Sequence, residues 1–239
     1  MSGGSWATRP LIRSICQMSD LRLVIWDVDG TLVDSQAEIM AAMKAAFASE
    51  NLPMLDRSKV LSIVGLSLAE AFEVLCPDSS DAQRGNLVEA YKGAFNDLRG
   101  PDGNRELSPM FDGALDVLRA LNAQDQTLLA VATGKSKRGL DKMIARHGLE
   151  GLFISQQVAD FHPSKPHPAM VQAAMADTGV DAARAVMIGD TTYDMDMGRA
   201  AGVHTIGVTW GYHNAADLNA DCIVSDFQAI PAAIDKLIG

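Results

Sequence analysis

The chain has little cysteine, no long apolar run and a shortage of basic residues. Cys16, Cys76 and Cys222 are its only three cysteines, and they stand far apart with no CxxC pair. That spacing argues against a disulfide framework or a thiolate metal site, and for reduced, mostly buried thiols in a cytoplasmic protein. No apolar stretch approaches the ~20 residues that a membrane-spanning helix needs, so no membrane partner is expected. Twenty basic residues face thirty acidic ones, for a net charge of −10. This balance argues against a general nucleic-acid binder. It leaves room for an anionic substrate, because a metal ion and one lysine reverse the field locally. There is no internal repeat and no low-complexity segment. Residues 1–19 hold Arg9 and Arg13 and no acid, but they lack the apolar block of a signal peptide. They are expected to form a flexible extension, with Met18 as an alternative start.

Hydrophobic residues make up 48% of the chain, enough for a substantial core. Five apolar runs have strand character, over 21–26, 127–132, 152–155, 185–188 and 204–208. Helical spacing separates them over 114–123, 139–147, 169–178 and 194–201. Strands alternating with helices predict an α/β fold, a parallel sheet wound on both faces. The stretch 36–107 breaks this rhythm. It reads as helices over 37–50, 68–75 and 81–98, then a Gly- and Pro-containing linker over 99–105. The expected organisation is a core domain over 20–35 and 108–239, interrupted by an inserted α-helical cap domain over 36–107.

In a parallel α/β sheet, ligands gather at the carboxyl ends of the strands. The first strand runs into Asp27 and Asp29, two carboxylates that repel unless a cation, a proton or a donor stabilises them. The second ends at Thr133-Gly134, Lys165 follows the third, and Gly189-Asp190-Thr191-Thr192-Tyr193-Asp194 follows the fourth. Carboxylates suit Mg²⁺, and the whole set suits phosphoryl transfer, where positioning and charge stabilisation dominate.

Four motifs in this order resemble the haloacid dehalogenase superfamily. They are Asp27-Val28-Asp29-Gly30-Thr31, the hydroxyl Thr133, the lysine Lys165, and the Gly189–Asp194 run. The helical insertion resembles the phosphoglycolate phosphatase-like subgroup. The resemblance implies a Rossmann-like core with a helical cap and a Mg²⁺-dependent phosphatase. Asp27 would be the nucleophile. Asp29 would be the general acid and base, and would offer a backbone carbonyl to the metal. Asp190 would be a direct metal ligand beside Asp27, and Asp194 a supporting one. Thr133, Gly134, Lys165 and the backbone around Gly30 would hold the phosphate. Ser67, after Gly65-Leu66, would either contact substrate or cap the next helix. The implied partner is a small phosphorylated metabolite, with phosphoglycolate the leading named substrate, and the implied assembly is a monomer or homodimer.

Other activities of the family fit less well. Dehalogenases and phosphonatases lack an acid at the position of Asp29. Sugar phosphomutases carry a cap histidine soon after the first motif, and the run 33–38 has none. A non-catalytic regulatory protein would have lost a motif residue. Several residues are expected to be structural. Asp34 or Ser35 should cap the first cap helix, and Asp112-Gly113 should form a turn and cap. Lys135 and Lys137 should be solvated, and His162 and His167 should not bind metal. Trp210-Gly211-Tyr212 should pack a loop, and the methionines between 40 and 54 should fill the cap core.

Overall fold

A computed structural model describes residues 21–98 and 108–239. The expectations for the 1–19 extension, Cys16 and the 99–105 linker lie outside the described residues. The first strand, β1 (Arg22–Trp26), is followed by four helices: α1 (Gln36–Ser49), α2 (Arg57–Leu61), α3 (Leu68–Leu75) and α4 (Asp81–Asp97). The alternating part then runs α5 (Ala114–Asn122), β2 (Thr127–Thr133), α6 (Lys137–His147), β3 (Ser155–Val158), α7 (Ala169–Thr178), β4 (Ala185–Gly189), α8 (Thr192–Ala201), β5 (His204–Val208), β6 (Cys222–Val224) and α9 (Ile230–Ile238).

Among the described residues the six strands are all parallel, in the order β3-β2-β1-β4-β5-β6. Every residue of β1 and β4 is buried, because helices cover both faces. Alternation divides their side chains between two layers. Val24, Trp26, Val186 and Ile188 pack with residues of α5, α6 and α9. Leu23, Ile25, Ala185 and Met187 pack with residues of α7 and α8 on the other face. Helices α1–α4 hold a separate cluster, with Met43, Phe47, Phe72, Leu87 and Tyr91 at its centre. The strand order reverses around β1, so the crevice for a ligand opens where β1, β2 and β4 end.

Differences from the sequence reading fall mostly at the sheet edges. The third strand is not 152–155 but Ser155–Val158. Phe153 goes into the core while Ile154 is exposed, and pairing begins at Ala130 with Ser155. An edge strand has one neighbour and tolerates Gln156 and Gln157, so its apolar signal is weak. The short β6, the five-residue α2 and α9 have no counterpart in the reading. Ser35 precedes α1 without a side-chain cap, while Asp34 Oδ1 accepts from the Gln36 amide at 3.2 Å. Gly113, at φ +83°, occupies the position before α5, so no side chain caps that helix. Met43 is buried in the α1–α4 cluster, whereas Met54 is exposed.

Candidate active site

The end of β1 delivers Asp27, which is buried. A tight turn follows, in which the Val28 carbonyl accepts from the Leu32 and Val33 amides at 2.9 and 3.0 Å. The end of β4 delivers Asp190, and the first turn of α8 delivers Asp194, both fully buried. Asp27, Asp190 and Asp194 each place a carboxylate oxygen within 4.8 Å of the others.

Lys165, in the loop between β3 and α7, is inserted into this acid cluster. Its Nζ donates to Asp27 Oδ1 and to Asp194 Oδ1, each at 2.6 Å. Thr191 caps α8 and donates to Asp194 Oδ2 from its amide and its hydroxyl. Asp190 Oδ1 accepts from Thr31 Oγ1 and its Oδ2 from the Tyr212 amide, both at 2.8 Å. Asp27 Oδ2 is the exception, a buried carboxylate oxygen with no hydrogen-bond partner. Three buried carboxylates against one lysine leave excess negative charge, and one oxygen lacks a donor. That donor set fits a hard divalent cation.

The electrostatics agree. Burial pushes the Asp27 carboxyl up, Lys165 pulls it down, and Asp194 and Asp29 push it up again, to about 7 from 3.8. Asp190 is raised well above the carboxylate range by burial and by Asp27 and Asp194, against the pull of the Tyr212 amide and Thr31. Burial alone would lower Lys165, but the charges and hydrogen bonds of Asp194 and Asp27 outweigh it and hold the ammonium above its ordinary value.

The remaining groups face a cavity of about 350 Å³ between the sheet's carboxyl edge and the α1–α4 layer. Asp29, Thr133, Gly134 and Lys135 line its floor beside Asp27. Thr133 Oγ1 accepts from the Lys135 amide at 3.2 Å, which leaves its hydroxyl proton available. Lys135 Nζ donates to both oxygens of Asp29, at 2.6 and 2.8 Å, and lies 5.6 Å from the centre of the Phe95 ring on α4.

A family model for haloacid dehalogenase-like hydrolases matches residues 24–208. The chain belongs to the haloacid dehalogenase-like hydrolases. A protein of Dickeya dadantii named "Probable phosphatase IndB" is 36% identical, over 90% of this chain and 94% of that one. A phosphoglycolate phosphatase of Rhodospirillum rubrum is 31% identical, over 87% of this chain and 89% of its own. Among solved structures, a hydrolase from Pseudomonas syringae superposes with a TM-score of 0.80 at 23% identity, covering 91% of this chain and all of that one. The chain is a phosphatase of this family.

Within this hydrolase, the four motifs meet at the carboxyl edge of the sheet, but some expected details differ. The Gly30 amide, expected to help hold the phosphate, donates to the Val33 carbonyl at 2.9 Å. Gly30 has φ +88°, and a Cβ there would stand 2.4 Å from Asp190 Oδ2. Its lack of a side chain makes room for the acid cluster. At Gly134 a Cβ would lie 2.5 Å from the Gly65 carbonyl oxygen. This glycine lets the α2–α3 loop seat on the core.

Ser67 neither caps α3 with its side chain nor lines the cavity; its amide donates to Ser164 Oγ at 2.8 Å, beside Lys165. Lys135 is not solvated, since a strand-end carboxylate holds it. Lys137 is, pairing at the surface with Asp141. The 210–212 loop does more than pack. Trp210 packs against Phe227 with its ring tilted and donates to the Thr31 carbonyl, while the Tyr212 amide holds Asp190 and its hydroxyl meets Ser35. His162 meets Gln157, and His167 accepts from the Ala169 amide. Neither belongs to the acid cluster. Cys76 and Cys222 are free thiols. Among the described residues, no helix is long and apolar enough to cross a membrane.

Proposed function

We propose that this phosphatase hydrolyses small phosphate monoesters with Mg²⁺ through an aspartyl-phosphate on Asp27. The observation that carries the reading is the buried Asp27 carboxylate, held at Oδ1 by Lys165 and unpartnered at Oδ2, on the floor of a cavity that also exposes Asp29 and Thr133. Asp27, Asp190 and a backbone carbonyl at Asp29 would hold the metal, with Asp194 in support. When bound, Mg²⁺ supplies charge neutralisation and polarises a phosphoryl oxygen.

The chain's own groups do the rest. Thr133 and nearby backbone amides hold the phosphoryl oxygens, and Lys165 neutralises charge between them and the nucleophile. A carboxylate oxygen of Asp27 attacks phosphorus while the ester P–O bond breaks. Asp29 gives its proton to the leaving oxygen, so an alcohol departs. Asp29 then takes a proton from water, which attacks the acyl phosphate at phosphorus. Inorganic phosphate leaves and Asp27 is regenerated. The helical layer over the cavity limits access of bulk water during transfer.

Several relatives are named phosphoglycolate phosphatase, so 2-phosphoglycolate is the reference ester against which other leaving groups are compared. The free thiols support a reducing, cytoplasmic setting. The deciding experiment is phosphate release from an aryl phosphate. It should require Mg²⁺, stop with chelator and be abolished in Asp27→Asn, whose fold should persist. Full metal-dependent activity in that variant would overturn the nucleophile assignment.

A further inference from the structure

We infer that the alcohol this enzyme releases is hydrophobic, with an apolar chain or ring larger than a two-carbon acid. The inference rests on the phosphatase reading and concerns the leaving group alone. A cavity of about 350 Å³ lies within the range that holds organic ligands rather than a phosphate by itself. Its walls are chemically divided. The α1 helix and the α2–α3 segment contribute Ile39, Met43, Ile63, Val64, Leu66 and Leu68, with no polar side chain among their lining residues. On α4, Tyr91 and Phe95 also line it, with their rings stacked 5.7 Å apart. Leu66, Leu68 and Phe95 are only partly buried, so they have surface left for a ligand to cover.

Basic residues are confined to the floor and to the side formed by α4 and α6. Lys135 on the floor is bound to Asp29, and Lys92 pairs with Glu89. Arg138 and Lys142 stand on the α6 side. A carboxylate placed against the α1–α3 wall would meet no donating side chain, and an unpaired charge in such surroundings is costly. An apolar body there would instead be removed from water. The basic side serves the one charged group every such substrate carries, by drawing the phosphate dianion towards the floor.

Alkyl phosphates test this cleanly, because ethyl, butyl and hexyl phosphate have nearly equal leaving-group chemistry and differ in apolar surface. With Mg²⁺, kcat/KM should rise about three- to fourfold per added methylene until the cavity is filled. Hexyl phosphate should also exceed 2-phosphoglycolate. Leu68→Asn and Phe95→Asn, checked by thermal melting, should reduce the hexyl-to-ethyl ratio more than they change turnover of ethyl phosphate. In the unaltered enzyme, hexanol should inhibit competitively where an equal concentration of ethanol does not. A flat alkyl series, with ethyl phosphate and phosphoglycolate hydrolysed, would overturn this inference and leave the phosphatase reading standing. Release from the aryl phosphate but from none of these esters would overturn this inference alone, and no release from the aryl phosphate either would overturn both.

Discussion

Lys165→Met removes the one ammonium bonded to both Asp27 and Asp194 while keeping a side chain of similar length. The lysine side chain is fully buried, and its two ion pairs, each at 2.6 Å, are shielded from solvent on both sides. Removing one partner of a buried ion pair typically costs about 3–5 kcal/mol, because the other charge is left unpaired. For a chain of this size that corresponds to a fall in Tm of roughly 6–20 °C.

The deficit should depend on pH. The folded Asp27 carboxyl sits near 7, above its ordinary 3.8. Between those values the folded state holds a proton that the unfolded state has released. Stability of the metal-free protein therefore falls as pH rises through this window. Without Lys165 the carboxyls favour their protons further, so the variant should be hurt more at pH 7.5 than at pH 5. Mg²⁺ should recover part of the loss at pH 7.5 and little at pH 5. Thermal melts of both proteins, in chelator and in Mg²⁺ at each pH, measure all of this. A variant melting within about 2 °C of the parent in chelator at both pH values would refute the view that Lys165 holds the acid cluster together. Turnover with saturating Mg²⁺ should fall by about 10²–10³-fold, the usual loss when one group stabilising transition-state charge is removed.

Lys135→Met keeps the stem beside Phe95 and frees Asp29 from its ion pair. The freed carboxyl is no longer held in place over the leaving group, and such misplacement costs up to about 10²-fold in turnover of an alkyl ester; an aryl ester with a good leaving group should lose much less, because it needs little protonation, and equal losses would argue against a role through Asp29. Gly134→Ala places a methyl 2.5 Å from the Gly65 carbonyl oxygen, so the α2–α3 loop must move. Stability should drop by about 1–3 kcal/mol in denaturant melts, with a larger relative loss in kcat/KM than in kcat. Tyr212→Phe deletes the hydroxyl contacts with Ser35 at 3.0 and 3.2 Å but keeps the backbone donor to Asp190. It should cost about 1 kcal/mol in melts and leave metal dependence unchanged.

What the sequence made legible follows from where burial is greatest. Strands β1 and β4 are covered on both faces, so after Arg22 they read as unbroken apolar runs. The rule that ligands collect at strand carboxyl ends then turned residues far apart in sequence into one site. Asp27, Thr133, Lys165 and Asp190 all lie where that rule puts them. The edge strands escaped because one neighbour is enough to hold Gln156 and Gln157 in a ladder.

The contacts that complete the site escaped for a different reason. Asp190 is held by the Tyr212 backbone amide, and every residue except proline carries one, so no residue type marks the position. Lys135 did leave a signal. It lies two residues beyond Thr133, at the same strand end as Asp29 one strand over, and a lysine there has a carboxylate within reach before it has solvent. Weighing lysines by distance from a strand's carboxyl end, rather than by their place near a helix start, would have separated Lys135 from Lys137. The two differ by two residues in sequence, yet one binds the proposed acid–base group and the other an exposed Asp141.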